Sequence, residues 1–178
     1  MNTKKMTLIA LMTAIMCILG PVSIPIGPIP ISFTNLAIYL AVYLIGTKYA
    51  TCSYLIYYLL GIFGLPVFSG FQGGFSKAVG PTGGCLIGFF FMAVISGIFI
   101  EKFRDSRVMQ LVGMILGTIA VYTMATLWFS YVMSKTIVES FFICVAPFII
   151  GDLIKMVIAM KVGSEIMKRV DIVNPKKK

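Results

Sequence analysis

Six apolar segments occupy most of this 178-residue chain, and only short breaks separate them. Apolar residues make up 59% of the sequence and charged residues 12%, about half the charged share of an ordinary soluble domain. A membrane-spanning helix needs roughly 20 mostly apolar residues. The chain is therefore predicted to be an all-α integral membrane protein with six transmembrane helices and no room for a separate soluble domain.

Glycine, proline and charged residues mark the limits of these segments. We treat 1–178 as a single transmembrane domain with spans at about 6–20, 33–47, 50–64, 83–100, 108–130 and 141–163. Between the first two spans, four prolines within residues 21–30 exclude a regular helix, because proline lacks an N–H donor and fixes φ. We expect this apolar stretch to pack against the helices at the membrane surface.

The distribution of basic residues predicts an orientation. With six spans, 12 of the 15 Lys and Arg residues lie on the side of the N-terminus, and only Lys77 and Lys135 lie on the other side. Because cytoplasmic loops retain Lys and Arg, both termini are predicted to be cytoplasmic. The same rule explains the net charge of +9, which in a soluble protein would suggest nucleic acid as a partner. No nucleic acid is expected.

The sixth span contains an ionisable pair, Asp152 and Lys155, inside an otherwise apolar helix. They are three positions apart and so share a helix face. Placing a charge inside the bilayer costs on the order of several kcal/mol unless the charge is paired or hydrated. Two interpretations follow: an ion pair that only fixes helix packing, or a pair that lines a polar cavity where a ligand completes the hydrogen bonds. We favour the cavity.

A glycine-rich segment, 64–84, contains seven glycines in 21 residues. Irregular backbone near a membrane persists only where protein buries it or where it lines a cavity. Glycine also lets a backbone approach a ligand closely. The segment is predicted to be a lid over the site; the alternative is a flexible connector, against which its three phenylalanines argue. A phosphate-binding loop is a poor match, since no Gly-Lys-Ser/Thr follows the glycines.

Small residues four positions apart form two stripes, Ala10/Ala14 in the first span and Gly113/Gly117 in the fifth. Such stripes let another helix approach closely, and we expect the second to serve internal packing. The chain has no nucleotide-binding motif and no histidine. If the chain drives transport uphill, it therefore cannot do so by its own ATP hydrolysis.

Three stretches are specific enough to compare with a known family. They are GLPVFSG at 64–70 with GPTGG at 80–84 and LIGF at 86–89, PFIIGDLIK at 147–155, and IPIGPIPI at 24–31. Together they resemble the BioY family, the biotin-specific substrate-binding (S) components of energy-coupling factor (ECF) transporters, over about residues 8–160. One departure is Cys85, where an aromatic residue is usual after GPTGG.

The resemblance implies the six-helix bundle of an ECF S component, in a bacterial plasma membrane, that captures biotin from the outer side. It also implies an energising module made of a transmembrane coupling protein and two cytoplasmic ATPases. The chain itself then needs no cofactor and is not an enzyme. Ala10 and Ala14 match the Ala-x-x-x-Ala helix that S components present to the coupling protein, and Asp152 and Lys155 match the polar ligand residues of the family.

The chemistry of biotin suits these residues. Aspartate accepts from the two ureido N–H groups, lysine donates to the ureido oxygen, and a cation in the lid, Lys77, meets the carboxylate. Aromatic residues such as Phe33 and Tyr39 cover the ring. The residues predicted to contact biotin are Asp152, Lys155, Lys77, Gln72, Ser69, Phe68, Phe71, Gly73, Thr82 and Tyr43.

Three other functions remain open at this point. The chain is alternatively an S component for another vitamin, a membrane enzyme or a structural membrane protein. An enzyme would need a nucleophile or metal site among its intramembrane polar residues, where only Asp152 and Lys155 qualify. A structural protein would not need the glycine-rich lid.

Overall fold

The computed structural model of the chain describes residues 3–25 and 29–169. This part of the chain is mostly helical, with one short two-stranded sheet. The elements are α1 (Thr3–Leu19), β1 (Ser23–Ile24), β2 (Ile31–Ser32), α2 (Thr34–Ile62), α3 (Phe75–Val79), α4 (Gly83–Lys102), α5 (Arg107–Met133), α6 (Ile137–Cys144) and α7 (Ile149–Arg169).

The described residues of the proline-rich stretch between α1 and α2 form no helix, as the prolines predicted. Its ends form an antiparallel ladder in which Ser23 pairs with Ser32 and Ile24 pairs with Ile31. Residues 26–28 of this stretch lie outside the described residues, as do Lys176, Lys177 and Lys178, which the orientation argument counted.

Helix α2 breaks once, at Gly46, where φ is 79° and ψ is 168°. Asn35, near the start of α2, and Tyr57, near its end, line the same cavity. A straight helix would hold residues that far apart in sequence about 33 Å apart. The two arms, 34–45 and 47–62, therefore fold back on each other at Gly46, where the sequence suggested a short loop.

The turn at residue 46 depends on glycine, because this residue has no side chain. A positive φ is costly for other residues, and a Cβ at this position would lie 2.5 Å from Glu101 Oε1. That oxygen accepts a hydrogen bond of 2.8 Å from the backbone N–H of Thr47, the first residue of the second arm. A carboxylate from α4 thus satisfies an amide that the break leaves without an intrahelical partner.

Among the described residues, three helices, α2, α4 and α5, are long and apolar enough to cross a membrane by length and composition. A fourth qualifies if α6 and α7, which meet at a bend of 46°, form one broken span. Pro147 lies in the bend and has no N–H to continue the helix. Helix α1, with 17 residues, is shorter than these.

Glycines bring α4 and α5 close together. A Cβ at Gly88 would lie 2.7 Å from the Cα of Val121, and a Cβ at Gly117 would lie 3.1 Å from the side chain of Met92. Gly113 likewise contacts the side chain of Phe99. The Gly113/Gly117 stripe therefore serves internal packing, as predicted.

The glycine-rich segment 64–84 contains the short helix α3 and the first two residues of α4. It is fastened to the bundle: the Tyr57 hydroxyl donates to the carbonyl oxygen of Val67 at 2.9 Å. Phe68 is 1% exposed and packs edge-on against the Tyr57 ring. The segment is thus an ordered cover with one side chain set deep in the bundle.

Candidate functional site

A cavity lies between α2, α4, α5 and α7, and the strand β2 and the glycine-rich segment also contribute to its wall. Apolar residues from several elements line much of it, including Phe68, Leu86, Phe89, Val121 and Phe148. Its polar lining residues are Ser32, Thr34, Asn35, Ser69, Lys77, Thr82, Tyr122, Asp152 and Lys155. An apolar cavity with a few converging polar groups is typical of a small-molecule site.

Asp152 is at the centre of the polar groups at one end of this cavity, and we call this end the α7 end. Its Oδ1 accepts from Asn35 Nδ2 at 2.7 Å and from Lys155 Nζ at 3.2 Å. Its Oδ2 accepts from the Tyr122 hydroxyl at 2.8 Å. Because the residue is 7% exposed, these three donors replace most of the hydration that an aspartate would have in water.

Lys155 is held as firmly as its partner. Besides Asp152, its ammonium donates to the carbonyl oxygen of Ser32 at 2.8 Å and lies 5.7 Å from the centre of the Phe33 ring. The lysine is also 7% exposed. Strand β2 and helices α2, α5 and α7 therefore all meet at one buried ion pair.

The part of the cavity wall that comes from the glycine-rich segment contains Ser69, Lys77 and Thr82, and we call it the loop end. Within the described part of the chain, the Lys77 ammonium makes no hydrogen bond or ion pair. Burial lowers the pKa of Lys77 below its ordinary value, and the neighbouring Cys85 partly offsets this effect. The Thr82 hydroxyl is buried and has no hydrogen-bond partner among the described residues. These groups are free to bind a polar or anionic ligand.

Six of the ten residues predicted to contact the ligand line the cavity. They are Asp152 and Lys155 at the α7 end, Ser69, Lys77 and Thr82 at the loop end, and Phe68. Cys85, the departure from the family pattern, also lines it and is a free thiol.

Tyr43 does not line the cavity. Its hydroxyl donates to Gln110 Oε1 at 3.0 Å, near the beginning of α5, and its ring contacts Gly163. Tyr39 is also directed elsewhere, because its hydroxyl pairs with the Thr118 hydroxyl at 2.7 Å. Both tyrosines connect helices instead.

Phe71, Gln72 and Gly73 also lie away from the cavity, and a tight turn explains why. Phe68 and Gln72 pair with each other through backbone hydrogen bonds. The turn between them puts Ser69 on the cavity side and leaves Phe71 70% exposed, with a φ of 56°. The side chain of Gln72 is exposed, and Gly73 packs directly on the backbone of Leu65.

Ala10 and Ala14 lie on the outside of α1, where both are exposed. With Thr13 they line a separate, almost entirely apolar groove between α1 and the second arm of α2, where Cys52 and Ile56 form the other wall. The predicted coupling stripe thus remains open to a partner helix in this structure.

The BioY family model matches residues 1–172. The chain belongs to the BioY family. This confirms the resemblance drawn from its motifs and places it in a transport family, so it is not an enzyme.

Relatives of this BioY chain cover it almost completely. The biotin transporter BioY of Thermotoga maritima is 34% identical over 156 residues, which are 88% of this chain and 91% of that protein. The probable biotin transporter BioY of Pyrococcus horikoshii is 31% identical and covers 93% of this chain and 98% of its own. The chain is a multi-pass membrane protein, as these relatives and its apolar helices indicate.

A solved structure shares the BioY fold described above. It is the crystal structure of the S component for biotin from an ECF-type ABC transporter, with a TM-score of 0.86 and 32% identity. The match covers 94% of this chain and 95% of that chain. The mostly helical bundle is therefore the fold of an ECF S component.

Two residues of this BioY site were missed by the sequence analysis, Asn35 and Tyr122, which both donate to Asp152. They lie 117 and 30 positions from it, so the fold alone brings them together. A signal for Asn35 was present, because it is the one amide side chain in the second predicted span. Tyr122 is one of eight tyrosines, and nothing in the sequence distinguishes it.

Proposed function

We propose that this chain binds biotin in the cavity and serves as the S component of an ECF transporter. The buried Asp152–Lys155 pair with its two further donors, inside a BioY fold, is the observation that carries this proposal. The names of the relatives and of the matching structure support biotin as the ligand.

The ureido ring of biotin is assigned to the α7 end. It has two N–H donors and one carbonyl acceptor, which match a carboxylate and an ammonium. An ionised carboxylate has about four lone-pair sites, and three donors already use Asp152. The ring therefore takes the remaining site and competes with Tyr122 or Asn35 for another. Lys155 donates to the ureido oxygen.

The carboxylate of biotin is assigned to the loop end. Lys77 is the cation there, and no protein carboxylate pairs with it within the described residues. Between the two ends, Phe68 and Phe89 offer apolar surface to the thioether ring and the valerate chain. Residues 64–84 act as the lid.

Six membrane spans follow if each arm of α2 counts as one, together with α1, α4, α5 and the α6–α7 pair. The basic residues Lys4, Lys5, Lys48, Lys102 and Arg104 then lie on one side of the membrane, while Lys77 and Lys135 lie on the other. This supports a single transmembrane domain with cytoplasmic termini, placed in the plasma membrane of a bacterial cell.

The partners are a transmembrane coupling protein and two cytoplasmic ATPases, which hydrolyse the ATP, so the chain carries no cofactor. The exposed Ala10/Ala14 stripe is the contact for a helix of the coupling protein. Ala14→Trp should block co-purification with the coupling protein, because the indole fills the groove, and should leave biotin affinity within a few-fold. Leu11→Trp, on an exposed face of α1 outside the groove, is the matched control. Wild-type yields of the complex with Ala14→Trp would show that the contact lies elsewhere.

The decisive experiment for ligand identity is purification in detergent, followed by mass spectrometry of co-purified small molecules and calorimetry with biotin. We expect biotin in the purified protein and saturable binding of added biotin by the stripped protein. Recovery of a different vitamin would indicate another specificity within the ECF group. Absence of any bound or binding vitamin would favour a structural role.

A further inference from the structure

Trp128, the one tryptophan of the chain, lies on α5 against the beginning of α4. Its indole Nε1 donates to the carbonyl oxygen of Gly80 at 2.9 Å. A Cβ at Gly83 would lie 2.8 Å from the same nitrogen, and a Cβ at Gly84 would lie 2.5 Å from Cβ of Trp128. The tryptophan therefore touches the backbone on both sides of Thr82.

The turn that Trp128 touches is rich in glycine. Pro81 fixes one φ within it, and Gly83 and Gly84 also pack against the backbone of Ala78 and Met124. The Gly83 amide donates to the Gly80 oxygen at 2.9 Å, so that oxygen is shared between the bond that closes the turn and the bond from Trp128 on α5. Glycines have the widest choice of backbone conformations, and the contact with Trp128 helps to select one of them.

The conformation selected by Trp128 places Thr82 in the cavity wall with a free hydroxyl. Thr82 is the N-cap of α4, yet its side chain makes no capping hydrogen bond. It is 6% exposed, and its hydroxyl has no partner among the described residues. A buried unpaired hydroxyl is unfavourable until a ligand pairs with it, and the N-terminus of a helix favours a negative charge.

We propose that Trp128 is a positioning residue that sets selectivity for an anionic end group of the ligand. It does not touch the ligand. It fixes the Gly80–Gly84 turn so that the Thr82 hydroxyl and the N-terminus of α4 face the carboxylate beside Lys77. The proposal rests on the proposed binding of biotin and adds a residue that the sequence analysis did not select.

The test compares two probes, biotin and biotinol, in which a primary alcohol replaces the carboxylate. Trp128→Phe keeps an aromatic ring but removes the Nε1–H donor. We expect the ratio of biotin affinity to biotinol affinity to fall about tenfold, the effect of losing one hydrogen bond to a charged group. Tyr131→Phe, on the same helix and 86% exposed, should leave the ratio unchanged. Equal weakening of both probes in Trp128→Phe would show a merely structural role and overturn the proposal.

Two further measurements keep the test decisive if Trp128→Phe folds poorly. Thr82→Val removes the hydroxyl with little change of shape and should reduce the same affinity ratio in a protein with an intact Trp128. In the wild type, saturating biotin should shift the fluorescence of Trp128 more than saturating biotinol does. Equal shifts together with an unchanged ratio in Thr82→Val would refute the role of Trp128 while leaving biotin binding intact. A wild type that binds neither probe would refute the proposed function itself.

Discussion

The two ends of the cavity differ in how their polar groups are satisfied before any ligand arrives. At the α7 end, both oxygens of Asp152 and the ammonium of Lys155 have protein partners. At the loop end, the Lys77 ammonium and the Thr82 hydroxyl have none within the described chain. Groups that already form hydrogen bonds within the protein hold the site in one shape, but a ligand must replace some of those bonds when it binds. Groups without a protein partner lose no such bond, so each bond they form with the ligand adds to affinity.

This difference assigns the two ends distinct tasks. The α7 end connects α2, α5, α7 and β2, so it stabilises the fold, and in the proposed binding mode it also positions the ligand ring. In that mode the loop end contributes to affinity and little to the fold. Disruption of the ion pair at the α7 end should therefore lower both affinity and stability, whereas loss of Lys77 at the loop end should lower affinity alone.

The largest expected effect comes from breaking the ion pair. Asp152→Asn should keep the shape of the site but lower biotin affinity about ten- to hundredfold, because an amide is a poorer acceptor for the ureido N–H groups. Lys155→Met should also weaken binding, and it should lower the thermal midpoint of the empty protein, since removal of one partner from a buried pair costs roughly 3–5 kcal/mol.

Calorimetry with biotin and thermal unfolding of the ligand-free protein measure these two effects. Asp105→Asn, the same substitution at an exposed loop position, is the control. Full affinity in both variants with a lowered midpoint would show that the pair is structural and that the ligand binds elsewhere.

The second effect concerns the loop end alone. Lys77→Met should lower biotin affinity about tenfold, at the low end for a charged hydrogen bond because Lys77 is only half-buried. It should leave the thermal midpoint unchanged, since the ammonium has no protein partner to lose. Lys135→Met, at an exposed position, serves for comparison. A lowered thermal midpoint in Lys77→Met would show that the loop end also stabilises the fold, which would contradict the proposed difference between the two ends.

A smaller effect is expected for Tyr122→Phe. The variant loses one hydrogen bond to Asp152 Oδ2 but leaves that oxygen available to a ureido N–H. We expect a modest loss of stability, about 0.5–1.5 kcal/mol, and a change in biotin affinity of no more than a few-fold. The measurement is a pair of unfolding and binding curves alongside Tyr131→Phe. A hundredfold loss of affinity would instead mean that Tyr122 contacts the ligand directly.

The smallest expected signal is a change in backbone protection. Residues 64–84 form the proposed lid and contain the free groups of the loop end, so bound biotin should slow hydrogen exchange there. Segments near Asp152 should change less, because their hydrogen bonds already exist. Unchanged exchange throughout 64–84 would indicate a fixed connector and contradict the lid.

The sequence identified site residues where a charged side chain lies in an otherwise apolar segment. Asp152 and Lys155 could be selected because charges inside an apolar helix have few explanations. Asn35 could have been found by the same reasoning, but Tyr122 could not, because its role depends on which way α5 faces. Phe71 and Tyr43 were selected by residue type, and only the turn at Phe68–Gln72 and the partner of Tyr43 decide where they point.

The fold was also predictable in part: the helical segments could be predicted, but the form of the sharp reversal within α2 could not. Apolar segments indicate helices, and prolines indicate the break after α1, because both depend on local chemistry. The reversal at Gly46 was expected as a short loop, since no pattern in the sequence reveals that a carboxylate from α4 will cap the second arm.

The reversal at Gly46 also constrains how the chain enters the membrane during synthesis. The arms of α2 have about 12 and 16 residues, fewer than the roughly 20 that an independently inserting helix needs. They are therefore expected to partition into the bilayer together, as one helical hairpin. Glu101, which completes the turn, is 54 residues downstream of Thr47. The hydrogen bond from the Thr47 amide to Glu101 can therefore form only after the end of α4 has been synthesised, so the hairpin is expected to insert before its turn is stabilised.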